Sequence, residues 1–218
     1  MTIKRKFGRI HIPDKRDKKY LLARRRSTRT YRYWYTGGWW GDQGYTPQCV
    51  AYAWMHWLED GPVTHRLVPA PMVKPSTIYR EAQKLDEWEG ERYAGTSVRG
   101  GAKALKKRGL IGEYRWAFSL DMALPTLLEE GPLVFGTDWT AGMCNPDENG
   151  LITATGVVYG GHAYKVDGVN TTKGLARIKN SWGRGWGRNG FAWISLDDLD
   201  MLLKREGECC LAIEMEDL

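Results

Sequence analysis

The apolar periodicity of this chain changes once, and that change limits the fold more than any single motif. Before Trp116 the spacing is helical. In "QCVAYAWMHWLEDG" the residues Cys49, Val50, Ala53, Trp54, Trp57 and Leu58 recur at helical intervals, and Gly61-Pro62 ends the run. The spacing predicts a buried helix with Cys49 in its first turn. "STIYREAQKLDEW" reads as a second helix with Ser76 as its cap, and "SVRGGAKALKKRGL" contains a third, ended by Gly109. After a joint near Trp116, "SLDMALPTLLEEGP" reads as a helix capped by Ser119 and closed by Gly131-Pro132. Strand patterns follow: "LVFGTDW", "ITATGVVYGG", "HAYKVDGV", "LARIKNSW" and "GFAWISL". Helices first and strands second predict an α+β fold. A basic segment over residues 1–30, expected to be partly packed on the domain, precedes a helical half at 31–116 and a β-rich half at 117–218.

A chain of 218 residues can bury a full-sized core. No apolar run approaches the roughly 20 residues of a membrane-spanning helix. The basic N-terminus lacks the apolar stretch of a secretory signal, so a soluble, cytoplasmic protein without a membrane partner is expected. Charge is uneven. Up to Arg32 there are 13 Lys and Arg against 2 Asp and Glu, a balance of +11, which leaves −5 for the rest of a +6 chain. Such an arm could meet nucleic acid or an acidic partner, and Tyr31, Tyr33, Trp34 and Tyr35 could stack on bases. Aromatics dense with glycine more often begin packed structure, so a solvated leader is the expectation and nucleic acid is not the expected partner.

The four cysteines, Cys49, Cys144, Cys209 and Cys210, form no recognisable disulfide framework. A bridge between the adjacent Cys209 and Cys210 would be strained. No C-x-x-C or zinc-ligand spacing occurs, so reduced thiols and no metal are expected.

One thiol stands apart. Cys49 in the first turn of a helix sits where partial positive charge favours thiolate, although most buried cysteines are inert. Gln43, on the loop entering that helix, could join the Cys49 N–H in binding a developing oxyanion. A thiolate also wants an imidazole. His11 lies in the basic arm, His65 in a Pro-flanked loop, and His56 about two turns along the same helix, out of reach of Cys49. His162 begins a strand after Gly160-Gly161. "HAYKVDGV" and "LARIKNSW" flank a turn-like "NTTKG", and antiparallel pairing centred near position 171 would set Asn180 beside His162 on one face, give or take a bulge. Asn180 could then accept from one ring nitrogen and turn the other toward sulfur. Trp182 could cover that bond, and the glycines of "IKNSWGRGWGRNGF" would let the chain turn beneath it.

At these three places the chain resembles the papain-type cysteine peptidases. "DQGYTPQCVAYA" is similar to the segment carrying the oxyanion glutamine and the nucleophile, "GGHAYKVDGV" to the histidine strand, and "IKNSWGRGWGRNGFAWI" to the asparagine segment. Weaker similarity runs through "IPDKRDKKY", "GTSVRGGAKALKKRG" and "GPLVFGTDW". The resemblance implies a papain-like fold, with a cleft between a helical half bearing the nucleophile and a β-rich half bearing the histidine. It implies Cys49 as nucleophile, His162 as general acid and base, Asn180 as its orienting partner, Gln43 in the oxyanion hole and Trp182 as a shield. Gly95, Thr96 and Ser97 resemble the segment whose backbone pairs with bound peptide, and Gly161 adjoins the histidine in the same cleft.

The family's usual cysteine and glycine ahead of the nucleophile are replaced in Thr46-Pro47-Gln48-Cys49, and Val50 stands where the family has tryptophan. The separation of Cys49 and His162, 113 residues, implies trimmed loops. No long propeptide is present, so control by substrate access rather than by an inhibitory extension is expected. The implied activity is thiol-dependent endopeptidase cleavage of peptide or protein substrates, without metal or organic cofactor. It would start from a Cys49 thiolate of strongly depressed pKa beside a His162 imidazolium. The alternatives are an amidase or isopeptidase acting on cell-wall or modifier amides, and a silent binding protein on the same scaffold.

Overall fold

The computed structural model describes residues 5–11, 13–23, 26–60, 73–90 and 92–213. Helix α1 (Cys49–Asp60) is buried on nearly every side, as its run of Trp, Ala and Val requires. Two indoles fasten it. The Trp54 Nε1 donates to the Val98 carbonyl and the Trp57 Nε1 to the Pro132 carbonyl, both at 3.0 Å. Against α1 pack α2 (Pro75–Leu85) and α3 (Val98–Lys107). In α3, Gly101 lies so close to Trp54 and Val50 that any Cβ there would collide with them. The Ser97 hydroxyl caps α3 by accepting from Gly100 N. Ser76 does not cap α2: Pro75 is the first helical residue, where its fixed φ suits the turn, and Lys74 holds the cap position. Ser119 does sit at the cap of α4 (Leu120–Glu129), but through its backbone carbonyl rather than its hydroxyl.

The β-rich half is one sheet built on β3 (Leu133–Thr140), the long β5 (Val158–Asn170), β6 (Leu175–Lys179) and β7 (Phe191–Ser195). Its order is β2-β8-β3-β5-β6-β7-β4, with β1 (Tyr31–Tyr33) pairing β5 off that path. Here β2 is Glu113–Ala117, β4 is Leu151–Ile152 and β8 is Glu208–Ile213. Pairings are antiparallel except β4 with β7. The strand expected over "ITATGVVYGG" is interrupted: residues 153–157 leave the sheet between β4 and β5.

Strand alternation makes this sheet the partition between two cores. Val134, Ala163, Cys210 and Ala212 face the core around α1. Their neighbours Phe135, Tyr164, Cys209 and Leu211 face the second core, which also holds Leu202 and Leu203 of α5 (Leu196–Lys204). Cys209 and Cys210 therefore point into different cores, and all four cysteines are free.

A buried ionic cluster fastens the helical half to the sheet. Asp60, at the end of α1, accepts from Lys165 on β5 and, at 2.7 Å, from Lys179 on β6. Lys165 also reaches Asp167 at 3.1 Å. Burial and the neighbouring Lys165 pull the Lys179 ammonium down to about 8. Breaking such a pair from one side costs about 3–5 kcal/mol, so the cluster fixes how α1 meets the sheet. The Gly61-Pro62 stop and His65 lie outside the described residues.

Candidate active site

Helix α1 packs against β5, which brings Cys49 to the backbone of Ala163, the residue after His162. The Cys49 sulfur accepts backbone N–H groups from Ala163, next to His162, from Val50 and from Gly8. The His162 Nε2 lies 2.9 Å from the Asn180 Oδ1, and that same oxygen accepts from Ser181 N at 2.8 Å. An oxygen already accepting one N–H takes a second from the ring, so Nε2 carries the proton and donates. The buried Nδ1 has no hydrogen-bond partner among the described residues and is left as the basic nitrogen.

Asn180 reaches His162 by a different register from the one expected. Lys165 pairs with Lys179 and Val166 with Ile178, and a bulge between Val166 and Gly168 shifts the ladder toward the turn. Asn180 is thus diagonal to His162, on the same face and just past the end of β6. The segment after it turns back tightly. Gly183, Gly187, Asn189 and Gly190 all take positive φ, and Asn180 N donates to the Gly190 carbonyl at 3.2 Å. Trp182 packs on the imidazole with ring centroids 5.4 Å apart, and Trp139 approaches from another side at 4.7 Å.

Gln43 is tied to the asparagine segment: its Oε1 accepts from the Ser181 hydroxyl at 2.6 Å. Its Nε2 donates to the Thr46 carbonyl at 2.8 Å and to the Lys6 carbonyl at 2.9 Å. The second acceptor belongs to the N-terminal segment, which lies across the cleft. Thr96 N donates to the Gly8 carbonyl (2.9 Å), Ile10 N to the Thr96 carbonyl (3.0 Å), and Arg9 N to the Gly161 carbonyl (3.0 Å). Phe7 meets the His162 ring edge-on at 5.8 Å and Trp182 at 6.2 Å. Gly8 passes so close to the Pro47 carbonyl that no Cβ would fit. Of the expected peptide-pairing residues, Thr96 and Gly161 meet this segment through hydrogen bonds. Gly95 lies against the Gly8 carbonyl, and Ser97 serves as the α3 cap.

Among the described residues, two arginine–carboxylate pairs hold the segment, and they are unequal. Arg5 and Asp42 meet at 2.5 Å with 22% and 49% of their side chains exposed, a setting worth at most about 1 kcal/mol. Arg9 and Glu208 meet at 3.2 Å with 4% and 2% exposed, so losing either partner costs about 3–5 kcal/mol. Arg9 is the anchor. The Glu208 carboxyl stays below its ordinary value: burial pushes it up, but the His11 hydrogen bond and the Arg9 charge outweigh that. The sequence reading missed Phe7, Gly8, Arg9 and Glu208. The available signal was Phe7 and Ile10 flanking a glycine inside an otherwise charged arm.

The occupied cleft changes the charge state expected of the pair. Burial pushes the Cys49 thiol up, outweighing the three amide bonds and the Arg9 charge. Burial likewise lowers His162 to about 4, against a raising effect of the Asn180 bond. With the segment seated, the pair is a thiol and a neutral imidazole, not the expected thiolate and imidazolium. The expectation that no N-terminal extension would close the site is corrected too, because residues 6–10 cover it. His56 is a buried core residue, taking Gly41 N at 3.4 Å and packing on Trp39.

A helix with a cysteine at its N-terminus, crossing an antiparallel sheet that carries a histidine and its asparagine, defines the papain-like fold of cysteine peptidases. Solved structures with this fold include xylellain, a cysteine protease from Xylella fastidiosa, at 18% identity, TM-score 0.76 and 99% of each chain covered. The bromelain protease from Ananas comosus, solved with the E64 inhibitor, is 14% identical with a TM-score of 0.60, over 86% of this chain and 100% of its own. A digestive procathepsin L2 proteinase from the Tenebrio molitor larval midgut is 14% identical with a TM-score of 0.61, over 96% and 78%. Neither a family model nor a curated protein sequence matches the chain. At these identities the likeness establishes the fold, and the expected α+β papain-like architecture is borne out. Among the described residues no helix is long and apolar enough to cross a membrane.

Proposed function

We propose that the chain is a thiol-dependent endopeptidase with Cys49 as nucleophile. The observation that carries this reading is the polypeptide in the cleft. An extended backbone already lies across the sulfur, with a carbonyl on the Gln43 amide and its own N–H and C=O groups on Thr96 and Gly161. A cleft that holds unbranched backbone this way suits a peptide substrate.

Departure of the segment readmits water and removes the desolvation that keeps both groups neutral. The Cys49 proton then passes to the His162 Nδ1, and the thiolate attacks a peptide carbonyl carbon. The tetrahedral oxygen takes hydrogen bonds from the Gln43 Nε2 and the Cys49 N–H, which in a helical first turn has no intrahelical acceptor. His162 protonates the leaving amine as the C–N bond breaks. It then takes a proton from water, which attacks the thioester and regenerates the thiol. Asn180 keeps the ring in the tautomer that places its basic nitrogen away from the Asn180 bond, and Trp182 keeps water from that bond.

An epoxysuccinyl cysteine-peptidase inhibitor followed by peptide-resolved mass spectrometry tests the reading. A single adduct at Cys49, lost in His162→Ala, is expected. An adduct spread over Cys144, Cys209 and Cys210 would refute it.

A further inference from the structure

Away from the cleft, strand register lines up one row of residues across the sheet. Tyr33 on β1 pairs with Gly168 on β5, Gly168 with Arg177 on β6, Arg177 with Trp193 on β7, and Trp193 with Leu151 on β4. Tyr33 lies down along this row because Gly168 has no side chain: a Cβ there would stand 2.2 Å from the Tyr33 Cδ1. The Arg177 Cζ is 4.9 Å from the Tyr33 ring centroid, and its Nε donates to the Asp167 Oδ1 at 2.7 Å. Tyr33, Leu175, Arg177 and Trp193 line a groove of about 550 Å³ on this face. Lys173, just before β6, and Arg188, just before β7, stand at its opposite ends because those strands are antiparallel. Neither has an ion-pair partner among the described residues. Asp147 is the one carboxylate in the lining, and its Oδ1 accepts from Asn149 N and Leu151 N within a turn, each at 2.8 Å. Gly168 lies about 20 Å along β5 from His162, at roughly 3.3 Å per residue, so the groove is separate from the active site.

The aromatic residues that follow the basic arm divide at this groove. Trp34 packs inward, its Nε1 donating to the Leu127 carbonyl at 2.7 Å, whereas Tyr31, Tyr33 and Tyr35 stay 64%, 40% and 71% exposed. The Thr30 carbonyl accepts from Thr171 N at 2.8 Å, which lays the approach to β1 beside the turn that carries Lys173. From Arg26 to Arg32 that approach has three arginines and no carboxylate. Among the described residues only Arg29 of these forms an ion pair, with Glu129. Exposed rings flanked by cations without partners suit a ligand that repeats both a flat π-face and a negative charge. We propose that this face of the sheet binds single-stranded nucleic acid. Tyr33 and Trp193, about 14 Å apart at three strand spacings of roughly 4.8 Å, stack on bases, and Lys173 and Arg188 meet the phosphates. A duplex would offer the charge but hide the faces. The proposal is independent of the peptidase reading, since Cys49 takes no part in it.

Binding of a fluorescently labelled oligothymidylate of about 15 nucleotides to the full chain, read by anisotropy across a salt series, tests this. Affinity should fall as salt rises, and Lys173→Ala with Arg188→Ala should flatten that dependence. Tyr33→Leu with Trp193→Leu should weaken binding at least about 10-fold at every salt concentration and leave the salt dependence unchanged. If that double variant does not fold, photocrosslinking of the unsubstituted chain takes its place, with adducts expected on Tyr33 and Trp193 by mass spectrometry. Absence of binding, binding indifferent to both aromatic residues, or crosslinks confined to residues 1–30 would overturn the proposal. So would tighter binding of the matching duplex. Polyglutamate or an acidic oligosaccharide competing as well as the oligonucleotide would overturn it too, because each brings charge without bases.

Discussion

The segment after Asn180 and the segment around Gly8 both rely on glycine and aromatic residues, yet they work in opposite ways. The first is built by local chemistry. Positive φ at Gly183, Gly187, Asn189 and Gly190 sets the return of the chain, and the ring of Trp182 falls on His162 as a result. The second has almost no structure of its own. Its conformation comes from partners far away in sequence: Thr96, Gly161 and, most of all, Glu208. A locally determined element is permanent, whereas one held by a single buried ion pair and a few backbone bonds can leave. Under the proposed function, the fold couples a fixed half-site to a cover that must leave before a substrate can enter.

Substitutions in the fixed part should have the larger effects. Cys49→Ser should abolish peptide cleavage, by about 10³-fold or more in kcat, with thermal stability little changed. Asn180→Ala frees the imidazole to rotate and should lower kcat by roughly 10²-fold with KM nearly unchanged, the size of a lost general acid–base contribution. A fall in KM-limited binding alone would instead mean that Asn180 serves the segment and not the ring.

The cover should respond in the opposite sense. Gly8→Val collides with the Pro47 carbonyl and should unseat residues 6–10, raising the neutral-pH alkylation rate of Cys49 by about 10-fold or more as water returns. Acid should do the same. His162 is held at about 4 in the covered state, below the ordinary value of 6.5, so its protonation is disfavoured while the segment is seated. The resulting preference for the covered state is complete above pH 6.5 and is lost as pH falls toward 4. Glu208 acts in the same direction. Its folded value lies below 4.5, so the Arg9 anchor is intact above that pH and fails as the carboxylate is protonated below it. Cleavage in short assays should rise between pH 6.5 and 5 in the full chain. In Gly8→Val the rise should be smaller, since there is less cover to release.

The same contrast explains what the sequence disclosed. Cys49 on a buried helix, Gln43 before it and His162 beside Asn180 were legible because each rests on short-range patterns. The register of β5 and β6 was less so, because the bulge at Asp167 leaves no mark in the alternation of "HAYKVDGV". Helix α5 and strand β8 went unread in "LDDLDMLLKREGECCLAI", where a short helix runs into a short strand with only Gly207 between them as a breaker. The role of Arg9 could not be read, since its partner lies 199 residues away and composition offers 32 basic residues to choose among. The depressed Cys49 pKa expected at a helix N-terminus is not what the structure gives: burial of the sulfur pushes the thiol up instead.

The alkylation rate of Cys49 as a function of pH, read by peptide-resolved mass spectrometry in the full chain and in Gly8→Val, probes the covered site most directly. A slow reaction at neutral pH is expected in the full chain and a titration displaced to lower pH in the variant, with Cys144, Cys209 and Cys210 unlabelled in both. Superimposable profiles for the two proteins would contradict it.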